Sequence, residues 1–248
     1  MKIAILSDIH GNYEALKPVL QRCEEESVDK IYNLGDFINY GPQSEEVIQE
    51  IMARKIPSIL GNHEYALLNE KFLDHFQVHA QLSFFITQPM ISEKSYQFIS
   101  NLPRHLQKNQ LYFVHGTPPD NLFDYVYRLS DYQFSEIFNS MKATIFFVGH
   151  THQCAVYKKS KRTIEKSSLH PGEPTGLAPN DKAIINVGSV GQPRGSNKNA
   201  HFVIYDSSDN TIMLNTVPYN IEKTVHLMKK KHFPAINMEI IQQDFRKQ

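Results

Sequence analysis

The sequence predicts an α/β (α+β) fold in which two β-sheets pack on each other. Two observations predict it. Over residues 1–60, short apolar runs alternate with amphipathic helical segments in a β-α-β-α-β order, which is typical of a layered fold whose sheet is at least partly parallel. Beyond residue 148, short β-type runs follow one another without helices between them, which indicates a second, largely antiparallel sheet. We expect one domain over residues 1–248, since neither a linker nor an internal repeat divides the chain.

The first half of the fold begins with a strand at Lys2–Leu6, a short apolar run bounded by polar residues. Asn12 is a suitable N-cap for the helix that follows, whose apolar residues recur at helical spacing. A strand at Lys30–Leu34, a helix at Ser44–Arg54 and a strand at Pro57–Leu60 complete this half. Catalytic side chains in such folds gather just beyond the carboxyl ends of the strands.

The middle of the chain, Tyr65–Leu102, is predicted to be mainly helical, with Ser92 as the N-cap of a helix at Glu93–Ser100. Leu111–His115 and Thr144–Val148 are apolar, β-branched and aromatic, and we expect both to be core strands. The later elements are strands at Cys154–Tyr157, Arg162–Lys166, Ala183–Val187, His201–Tyr205 and Thr211–Thr216, and a closing helix at Asn220–Lys231.

The segment Ser167–Asp181 holds three prolines and two glycines. We interpret it as a long exposed loop between strands, which would serve as a lid or as a dimer contact. A homodimer is one arrangement that such a loop would allow.

The composition excludes several classes of protein. The 26 Lys+Arg balance the 26 Asp+Glu, so the chain has no global attraction to nucleic acid or to an anionic membrane. No apolar run reaches the about 18 residues that a transmembrane helix needs, and Ile3–Leu6 is too short for the core of a signal peptide. Cys23 and Cys154 form no CxxC pair, which argues against a thiolate zinc site. We expect a cytoplasmic protein.

Polar clusters follow five of the predicted strands. They are Asp8-Ile9-His10, Gly35-Asp36, Gly61-Asn62-His63-Glu64, His115-Gly116 and Gly149-His150-Thr151-His152. Each cluster alone is a weak signal, since a strand-ending Gly-Asp is usually a turn and a lone histidine is more often structural. Five clusters of metal-ligating residue types at the strand ends of one layer are not explained by chance, and they hold five of the 12 histidines.

These residue types meet the requirements of a site for two metal ions. Two divalent ions roughly 3.5–4 Å apart need a carboxylate that bridges them, with nitrogen and oxygen ligands on each side. Asp, Asn and neutral His suit Mn, Fe, Zn or Ni. Glycines beside Asp36, Asn62, His115 and His150 allow the sharp turns that bring side chains from different strands together.

The D-x-H, G-D, G-N-H-E, H-G and G-H-T-H motifs, in this order, resemble those of the calcineurin-like metallophosphoesterases. The opening Ser7–Asn12 is similar to the bacterial and archaeal phosphodiesterase branch of that superfamily, and Asn186–Arg194 resembles a later loop of the same branch. The resemblance implies a four-layer sandwich of two packed, mixed β-sheets flanked by helices.

The resemblance also implies roles for the residues of the motifs. The implied metal ligands are Asp8, His10 and His152 for the first ion, Asn62, His115 and His150 for the second, and Asp36 as the bridge. His63 would lie near the leaving group as a general acid or a transition-state stabiliser. The implied reaction is in-line attack on phosphorus by a metal-bound hydroxide, so that no protein nucleophile is needed.

Two features near the motifs bear on the substrate. Arg194 follows a Gly-rich loop and either binds a substrate phosphate in bidentate fashion or is simply solvated. The segment Phe123–Tyr127 is rich in aromatic residues, and Tyr125 either stacks on a nucleobase or packs against the core.

The sequence therefore predicts a dinuclear metal-dependent phosphoesterase that hydrolyses a small phosphodiester, phosphomonoester or nucleotide. An alternative is a dinucleoside polyphosphate hydrolase, which would cleave a phosphoanhydride at the same two metals. A remote alternative is a non-catalytic scaffold, because the superfamily includes a retromer subunit of that kind. The filled ligand positions and the presence of His63 argue against the scaffold.

Overall fold

The computed structural model describes residues 1–160, 163–178, 181–194 and 197–242, and in them two mixed β-sheets pack face to face. The strands are Lys2–Leu6 (β1), Lys30–Asn33 (β2), His105–Lys108 (β3), Leu111–Val114 (β4), Ile145–Val148 (β5), Cys154–Ser160 (β6), Thr163–Ser168 (β7), Pro174–Gly176 (β8), Ala183–Val187 (β9), Ala200–Asp206 (β10) and Thr211–Val217 (β11). The first sheet has the order β2-β1-β10-β11-β8, and the second has the order β3-β4-β5-β9-β6-β7.

The helices flank the two sheets. They are Tyr13–Glu25 (α1), Ser44–Ala53 (α2), Asn62–Leu68 (α3), Val78–Thr87 (α4), Glu93–Ser100 (α5), Asp131–Ser140 (α6), Ile221–Lys230 (α7) and Ala235–Gln242 (α8), with short 3₁₀ segments at Glu70–His75, Gln88–Met90 and Val126–Arg128. The side chains of Asn12 and Ser92 accept hydrogen bonds from the first turns of α1 and α5, so both predicted N-caps are confirmed. Across the described residues, no helix is both long and apolar enough to span a membrane.

The first sheet joins one parallel pair to an antiparallel ribbon. β1 pairs in parallel with β2, as expected from the helix α1 that connects them. On its other side β1 pairs antiparallel with β10, which pairs antiparallel with β11. The late strands β10 and β11 therefore lie in the same sheet as β1, the first strand of the chain.

The second sheet has a parallel centre and antiparallel edges. β4, β5 and β9 run parallel to one another. β3 is antiparallel at one edge, and β6 and β7 are antiparallel at the other. The parallel strands of both sheets end at the edge where the polar clusters lie.

The predicted fold class, two packed mixed β-sheets flanked by helices, is confirmed. The expected composition of the second sheet is wrong. The late strands do not form an antiparallel sheet of their own, because β9 inserts between β5 and β6 while β10 and β11 join the first sheet. All five residues of β9 are buried, so this strand suits a parallel sheet covered on both faces.

Two local expectations also need correction. Pro57–Leu60 forms only an isolated parallel bridge between Ser58 and Asn33, so it is not a full strand. The segment Ser167–Asp181 is not a uniformly exposed loop, since it contains the end of β7 and the edge strand β8. Leu169 and Leu177 are buried between the sheets, and this burial is the reason why the segment lies against the fold. Pro179 and Asn180 of this segment, and Arg162 of the predicted strand Arg162–Lys166, lie outside the described residues.

The core has three apolar layers, which follow from the four structural layers. One layer lies between the first sheet and the helices around α1 and α2, and another lies between the second sheet and α6. The middle layer lies between the two sheets, where the ring of Phe147 stacks on that of Phe113 at a centroid distance of 5.5 Å. This middle layer fixes the position of one sheet relative to the other, and the arrangement of the polar clusters depends on that position.

We expect Phe147→Ala to lower the free energy of unfolding by about 3–5 kcal/mol, because the Phe147 ring is fully buried and its removal leaves a cavity between the sheets. Urea denaturation measures this loss. Phe85→Ala is the matched control, since Phe85 is 53% exposed and its loss should change the free energy of unfolding by no more than about 0.5 kcal/mol. Equal losses in the two variants would contradict the layered core.

Candidate metal centre

The five polar clusters converge at one edge of the two sheets. Asp8 and His10 follow β1, Asp36 follows β2, His115 follows β4, and the cluster with His150 follows β5. The first turn of α3 brings Asn62 and His63 to the same place, and His152 lies two residues before the start of β6. All these side chains are buried except that of His150, which is partly exposed. The structure thus brings together every residue that the sequence predicts as a metal ligand.

Five of the predicted ligands lie in the left-handed region of backbone conformation, with φ between 48° and 64°. They are Asp8, His10, Asp36, His150 and His152. A residue with a Cβ that is held there costs of order 1–3 kcal/mol of strain, and such residues concentrate at functional sites. The strain is the cost of turning each side chain off its strand and toward a common centre.

One group of donor atoms comes from Asp8, His10 and His152. The Nε2 atoms of the two histidines lie 3.1 Å apart, and Asp8 Oδ1 lies 3.2 Å from Nε2 of His152 and 3.7 Å from Nε2 of His10. The three donors lie close enough together to hold one metal ion.

A second group comes from Asp36, Asn62, His115 and His150. His115 Nε2 lies 3.1 Å from Asp36 Oδ2, 3.0 Å from Asn62 Oδ1 and 3.3 Å from His150 Nδ1. Asp36 Oδ2 is also 3.9 Å from Nε2 of His10, which belongs to the first group. Asp36 is therefore the carboxylate that lies between the two groups of donors.

The tautomers of four histidines follow from their hydrogen bonds to backbone carbonyl groups, which can only accept. Nδ1 donates to Ile38 O in His10, to Leu34 O in His115 and to Gln192 O in His152, whereas Nε2 of His150 donates to Phe123 O. In each neutral ring the other nitrogen then carries a lone pair, and that nitrogen is the one that points to the centre. These hydrogen bonds fix both the orientation and the basicity of a metal-binding imidazole.

The donor set fits divalent metal ions. Lone pairs of buried nitrogen and oxygen atoms face one another at about 3 Å, and Asp8 Oδ1, although fully buried, accepts no hydrogen bond within the described residues. Such an arrangement is stable only around a positive charge. Nitrogen and carboxylate donors without thiolates suit Mn, Fe, Zn or Ni.

The pKa values of the carboxyl groups also indicate a site for positively charged ions. Burial alone would raise the pKa of Asp8 and of Asp36, but the interactions with His152 and His115, respectively, outweigh it and bring both pKa values below the usual range. Burial would likewise lower the pKa of His115, but Asp36 outweighs it and raises the value to about 9. The centre therefore attracts positive charge, whether it comes from protons or from metal ions.

His63 has the opposite tautomer. Its Nδ1 lies 2.9 Å from Asn39 Nδ2, and the orientation of that amide is set by two further hydrogen bonds: Nδ2 donates to Ala80 O, and Oδ1 accepts from the backbone N–H of Tyr40. Nδ1 of His63 must then accept, so the neutral ring carries its proton on Nε2. That Nε2 lies 3.8 Å from Asp36 Oδ2.

Burial lowers the pKa of His63 to about 4, and Asp36 only partly offsets the effect. The ring is therefore neutral near pH 7 and presents an N–H rather than a lone pair. His63 Nε2 lies within reach of a metal ion together with His10 and Asp36, but in this tautomer it carries a proton instead of a lone pair.

Glu64 supports the loop that carries Asp36 through hydrogen bonds to its backbone. Its carboxylate accepts hydrogen bonds from four backbone N–H groups, those of Asp36, Phe37, Ile38 and Gly61, at 2.7–3.2 Å. Burial and the charge of Asp36 raise the pKa of Glu64 to about 8, whereas these backbone donors favour the carboxylate. Glu64 therefore holds the backbone that carries Asp36.

The loop after β9 supports Asp8 and His152 from the other side. Ser189 Oγ donates to the carbonyl oxygen of Asp8, and the backbone N–H of Gly191 donates to the same atom. Gln192 accepts from His152 Nδ1 through its carbonyl oxygen at 2.7 Å. The resemblance at Asn186–Arg194 thus corresponds to a segment that orients two of the predicted ligands.

A cavity of about 400 Å³ opens beside the metal centre. Its wall combines residues of the centre with Tyr40, Arg194 and Tyr125, and with an aromatic side made of Phe72, Phe76 and Phe123. The Tyr125 ring is already stacked on His150, at 4.4 Å between ring centroids, and also on Tyr127 at 5.2 Å. Both predicted substrate-binding residues, Arg194 and Tyr125, therefore line the cavity, and the Tyr125 ring already stacks on two protein rings.

Sequence reasoning missed Asn39 and Tyr40. Both residues have positive φ values, 69° and 59°, and both contact the centre, Asn39 through His63 and Tyr40 through the rings of His10 and His63 at 4.7 and 4.9 Å. Both residues lie in the loop Gly35–Pro42, shortly after Asp36 and before a second glycine. This position is the sequence feature that could have identified them.

The comparison with protein families agrees with this geometry. The family model of the calcineurin-like phosphoesterase superfamily domain matches residues 1–210. The chain belongs to the calcineurin-like phosphoesterase superfamily. This family acts on phosphoesters and generally binds divalent metals, as the donor set indicates.

Two relatives match over nearly the whole chain. An uncharacterized protein of Methanocaldococcus jannaschii is 32% identical over 237 residues, which cover 94% of this chain and 93% of that protein. The crystal structure of a metallophosphoesterase from Sphaerobacter thermophilus superposes with a TM-score of 0.84 at 27% identity, over 98% of each chain.

A third relative matches over a short segment. The symmetrical bis(5'-nucleosyl)-tetraphosphatase of Delftia acidovorans is 37% identical over 71 residues, which are 27% of this chain and 25% of that enzyme. The similarity therefore covers one quarter of the enzyme.

We expect Gly61→Ala to lower the metal content of the protein, because a Cβ at this position would lie 2.1 Å from Asp36 Oδ1 and would displace the carboxylate between the two groups of donors. Elemental analysis after reconstitution with Mn²⁺ measures the effect. Gly176→Ala is the matched control, since a Cβ there meets no atom within 4 Å. A Gly61→Ala protein with the full metal content would contradict the central place of Asp36.

Proposed function

We propose that the protein is a dinuclear metal-dependent phosphoesterase, with Asp8, His10 and His152 around one ion, Asn62, His115 and His150 around the other, and Asp36 between them. The observation that carries the proposal is the difference in tautomer among the five histidines of the centre. Four rings point a lone pair to the centre, and His63 points an N–H. A purely structural metal site has no use for an oriented donor beside its ligands.

The ions would be Mn, Fe, Zn or Ni, and when bound they supply the Lewis acidity that activates water and neutralises charge on the phosphoryl oxygens. The side chains of the protein bind the substrate and its leaving group. The aromatic side of the cavity excludes water, and Arg194 offers a positive charge to the phosphate. The substrate is small and phosphorylated, since the cavity of about 400 Å³ is near the lower end of the range for small-molecule sites.

His63 acts on the leaving group in this proposal. Its neutral Nε2–H donates a hydrogen bond to the oxygen that leaves phosphorus and stabilises the negative charge that develops there. Asn39 is the positioning residue, because its amide holds the ring in the tautomer that donates. The hydrogen bond from Asn39 to Ala80 O anchors this amide to helix α4.

The alternative, a hydrolase of dinucleoside polyphosphates, is supported by the short match to a nucleosyl tetraphosphatase. It would use the same centre on a phosphoanhydride. The non-catalytic scaffold is disfavoured by the oriented N–H of His63. A cytoplasmic location, a single domain over residues 1–248 and a homodimer stay predictions from the sequence.

The function is tested by hydrolysis of bis(4-nitrophenyl) phosphate, 4-nitrophenyl phosphate and nucleotides after reconstitution with Mn²⁺. We expect Asp36→Asn to lose most of the activity together with bound metal, because the carboxylate between the two groups is lost. We expect His63→Ala to lose activity by roughly 10²-fold or more while it keeps both metals.

His170→Ala is the matched control for the histidine change, since His170 is exposed and far along the chain from the polar clusters. Its activity and metal content should equal those of the unchanged protein. A His63→Ala protein that lost a metal ion would overturn the role of His63 as a non-ligand. Metal-loaded protein that hydrolysed none of the phosphate esters would favour the scaffold.

We expect Asn39→Leu to let the His63 ring populate both tautomers, because leucine offers Nδ1 no donor. Nitrogen-15 NMR of the histidine rings in Zn²⁺-loaded protein reports the change directly. The activity should fall by about 10-fold or more, and more steeply for phenyl than for 4-nitrophenyl esters, since a poorer leaving group depends more on the hydrogen bond.

The dependence on the leaving group separates a positioning role from a structural one. A general loosening of the loop would lower the activity on all esters by the same factor. Metal content and melting temperature should be measured on the same samples, and equal falls for both esters would contradict the role of Asn39.

A further inference from the structure

The rim of the cavity carries hydrogen-bond donors that the reaction at the metals leaves unused. Arg194, Tyr40 and Tyr125 line the cavity together with Asp36. Among the described residues of this lining, Asp36 is the single carboxylate, and it faces the metal centre. The rim is therefore positive and rich in donors.

Arg194 has no competing acidic partner near the cavity. The arginine ion pairs in the described part of the chain engage Arg22 and Arg54 and not Arg194. The backbone N–H of Arg194 donates to the carbonyl oxygen of His152 at 3.2 Å, which ties this residue to a predicted ligand. The Arg194 side chain lines the cavity, so its guanidinium is available to an anion there.

The phenol groups of Tyr40 and Tyr125 lie on the wall of the same cavity as this guanidinium. Tyrosine side chains that form hydrogen bonds in the described residues are Tyr13, Tyr112 and Tyr205. The O–H groups of Tyr40 and Tyr125 therefore stay available to the cavity.

Both phenols are held in place before any ligand arrives. Tyr40 is kept in the left-handed backbone region at φ 59°, where a bulky residue is strained, and its ring contacts His10 and His63. Tyr125 is fixed by stacking on His150 with an interplanar angle of 11°. Donors on rigid supports lose little entropy when they bind.

The chemistry of the rim selects a phosphate. Phosphate oxygens accept hydrogen bonds, the guanidinium only donates them, and each phenol group can donate one. A neutral nucleobase offers the guanidinium no negative charge, and the Tyr125 ring is already stacked on His150 and Tyr127. A phosphate at this rim would lie next to the one that the metal centre holds.

We propose that Arg194, Tyr40 and Tyr125 form a subsite for a second phosphate, joined to the scissile phosphate through a bridging oxygen. The preferred substrates are then phosphoanhydrides, such as nucleoside diphosphates and longer polyphosphates, rather than esters with an uncharged leaving group. This inference rests on the proposed phosphoesterase function and deepens it.

The cleavage step balances as a hydrolysis. The oxygen of one water forms a bond to the attacked phosphorus, and the bond between that phosphorus and the bridging oxygen breaks. The electron pair leaves with the bridging oxygen on the second phosphate, which Nε2–H of His63 and the rim stabilise by hydrogen bonds. The products are two phosphate groups, and the remaining proton of the attack passes to solvent.

The test compares substrates that differ in the second phosphate. ADP and AMP form a matched pair that differs by one phosphate. Pyrophosphate, ADP and diadenosine tetraphosphate then distinguish an inorganic, a nucleoside and a dinucleoside source of the second phosphate. We expect kcat/KM to be at least about 10-fold higher for ADP than for AMP. Arg194→Met should lower kcat/KM for ADP by about 10–100-fold, and its effect on kcat/KM for bis(4-nitrophenyl) phosphate should be at least about 10-fold smaller.

Tyr40→Phe and Tyr125→Phe remove one donor each and should lower kcat/KM for ADP by about 3–10-fold. Arg128→Met is the matched control, because Arg128 lies over the Tyr125 ring but does not line the cavity. It should change kcat/KM for both substrates by less than about twofold. Equal losses on ADP and on the nitrophenyl ester, in any rim variant, would overturn the subsite.

A binding measurement separates failure of the subsite from failure of the proposed function. Methylenediphosphonate should bind the metal-loaded protein at least about 10-fold more tightly than methylphosphonate, as measured by calorimetry, and Arg194→Met should remove this preference. Hydrolysis of nitrophenyl esters without this preference would overturn the subsite and leave the phosphoesterase intact. Absence of all hydrolysis, with the binding preference retained, would overturn the phosphoesterase and support the subsite.

Discussion

Two buried carboxylates, those of Asp8 and Asp36, are the constraint on which the rest of this structure depends. Their side chains are almost completely excluded from solvent, at 0% and 2% exposure, and an isolated charge in such a place is very costly. The rings of His10 and His152 donate through Nδ1 to backbone carbonyl groups, so toward the centre they add lone pairs rather than positive charge. Divalent ions satisfy all these donors at once. The packing of the two sheets and the strained backbone serve to keep the donors together when the ions are absent.

Glu64 shows how the same motif builds both the site and its support. Within one turn of α3, Asn62 supplies a donor, His63 supplies an N–H and Glu64 accepts four backbone N–H groups. Three of these N–H groups belong to the loop that begins at Asp36. These donors offset part of the cost of burying the Glu64 carboxyl group, and the hydrogen bonds make the loop rigid. The position of Asp36 is therefore set from α3 rather than from its own strand alone.

The local features of the site could be predicted from the sequence, but their partners across the fold could not. Ligand-type residues after apolar runs identify strand ends, and strand ends of an α/β fold meet at one edge. The placement of β9 between β5 and β6 leaves no such mark, because a buried strand with four apolar residues and one asparagine fits either kind of sheet. The tautomer of His63 depends on Asn39, which is 24 positions away along the chain. Only the folded backbone, with Asn39 at a positive φ, brings that amide to the ring.

The neutrality of His63 and the positive rim of the cavity both suit the same kind of leaving group. A leaving alkoxide is a strong base and needs a proton, which a charged imidazolium supplies best. A leaving phosphate departs as a stable anion and needs hydrogen bonds and a positive charge instead. Asn39 cannot stabilise an imidazolium as a carboxylate would, and burial further keeps the His63 ring neutral. The neutral donors His63, Tyr40 and Tyr125, with the single cation Arg194 beside them, therefore match an anionic leaving group better than a basic one.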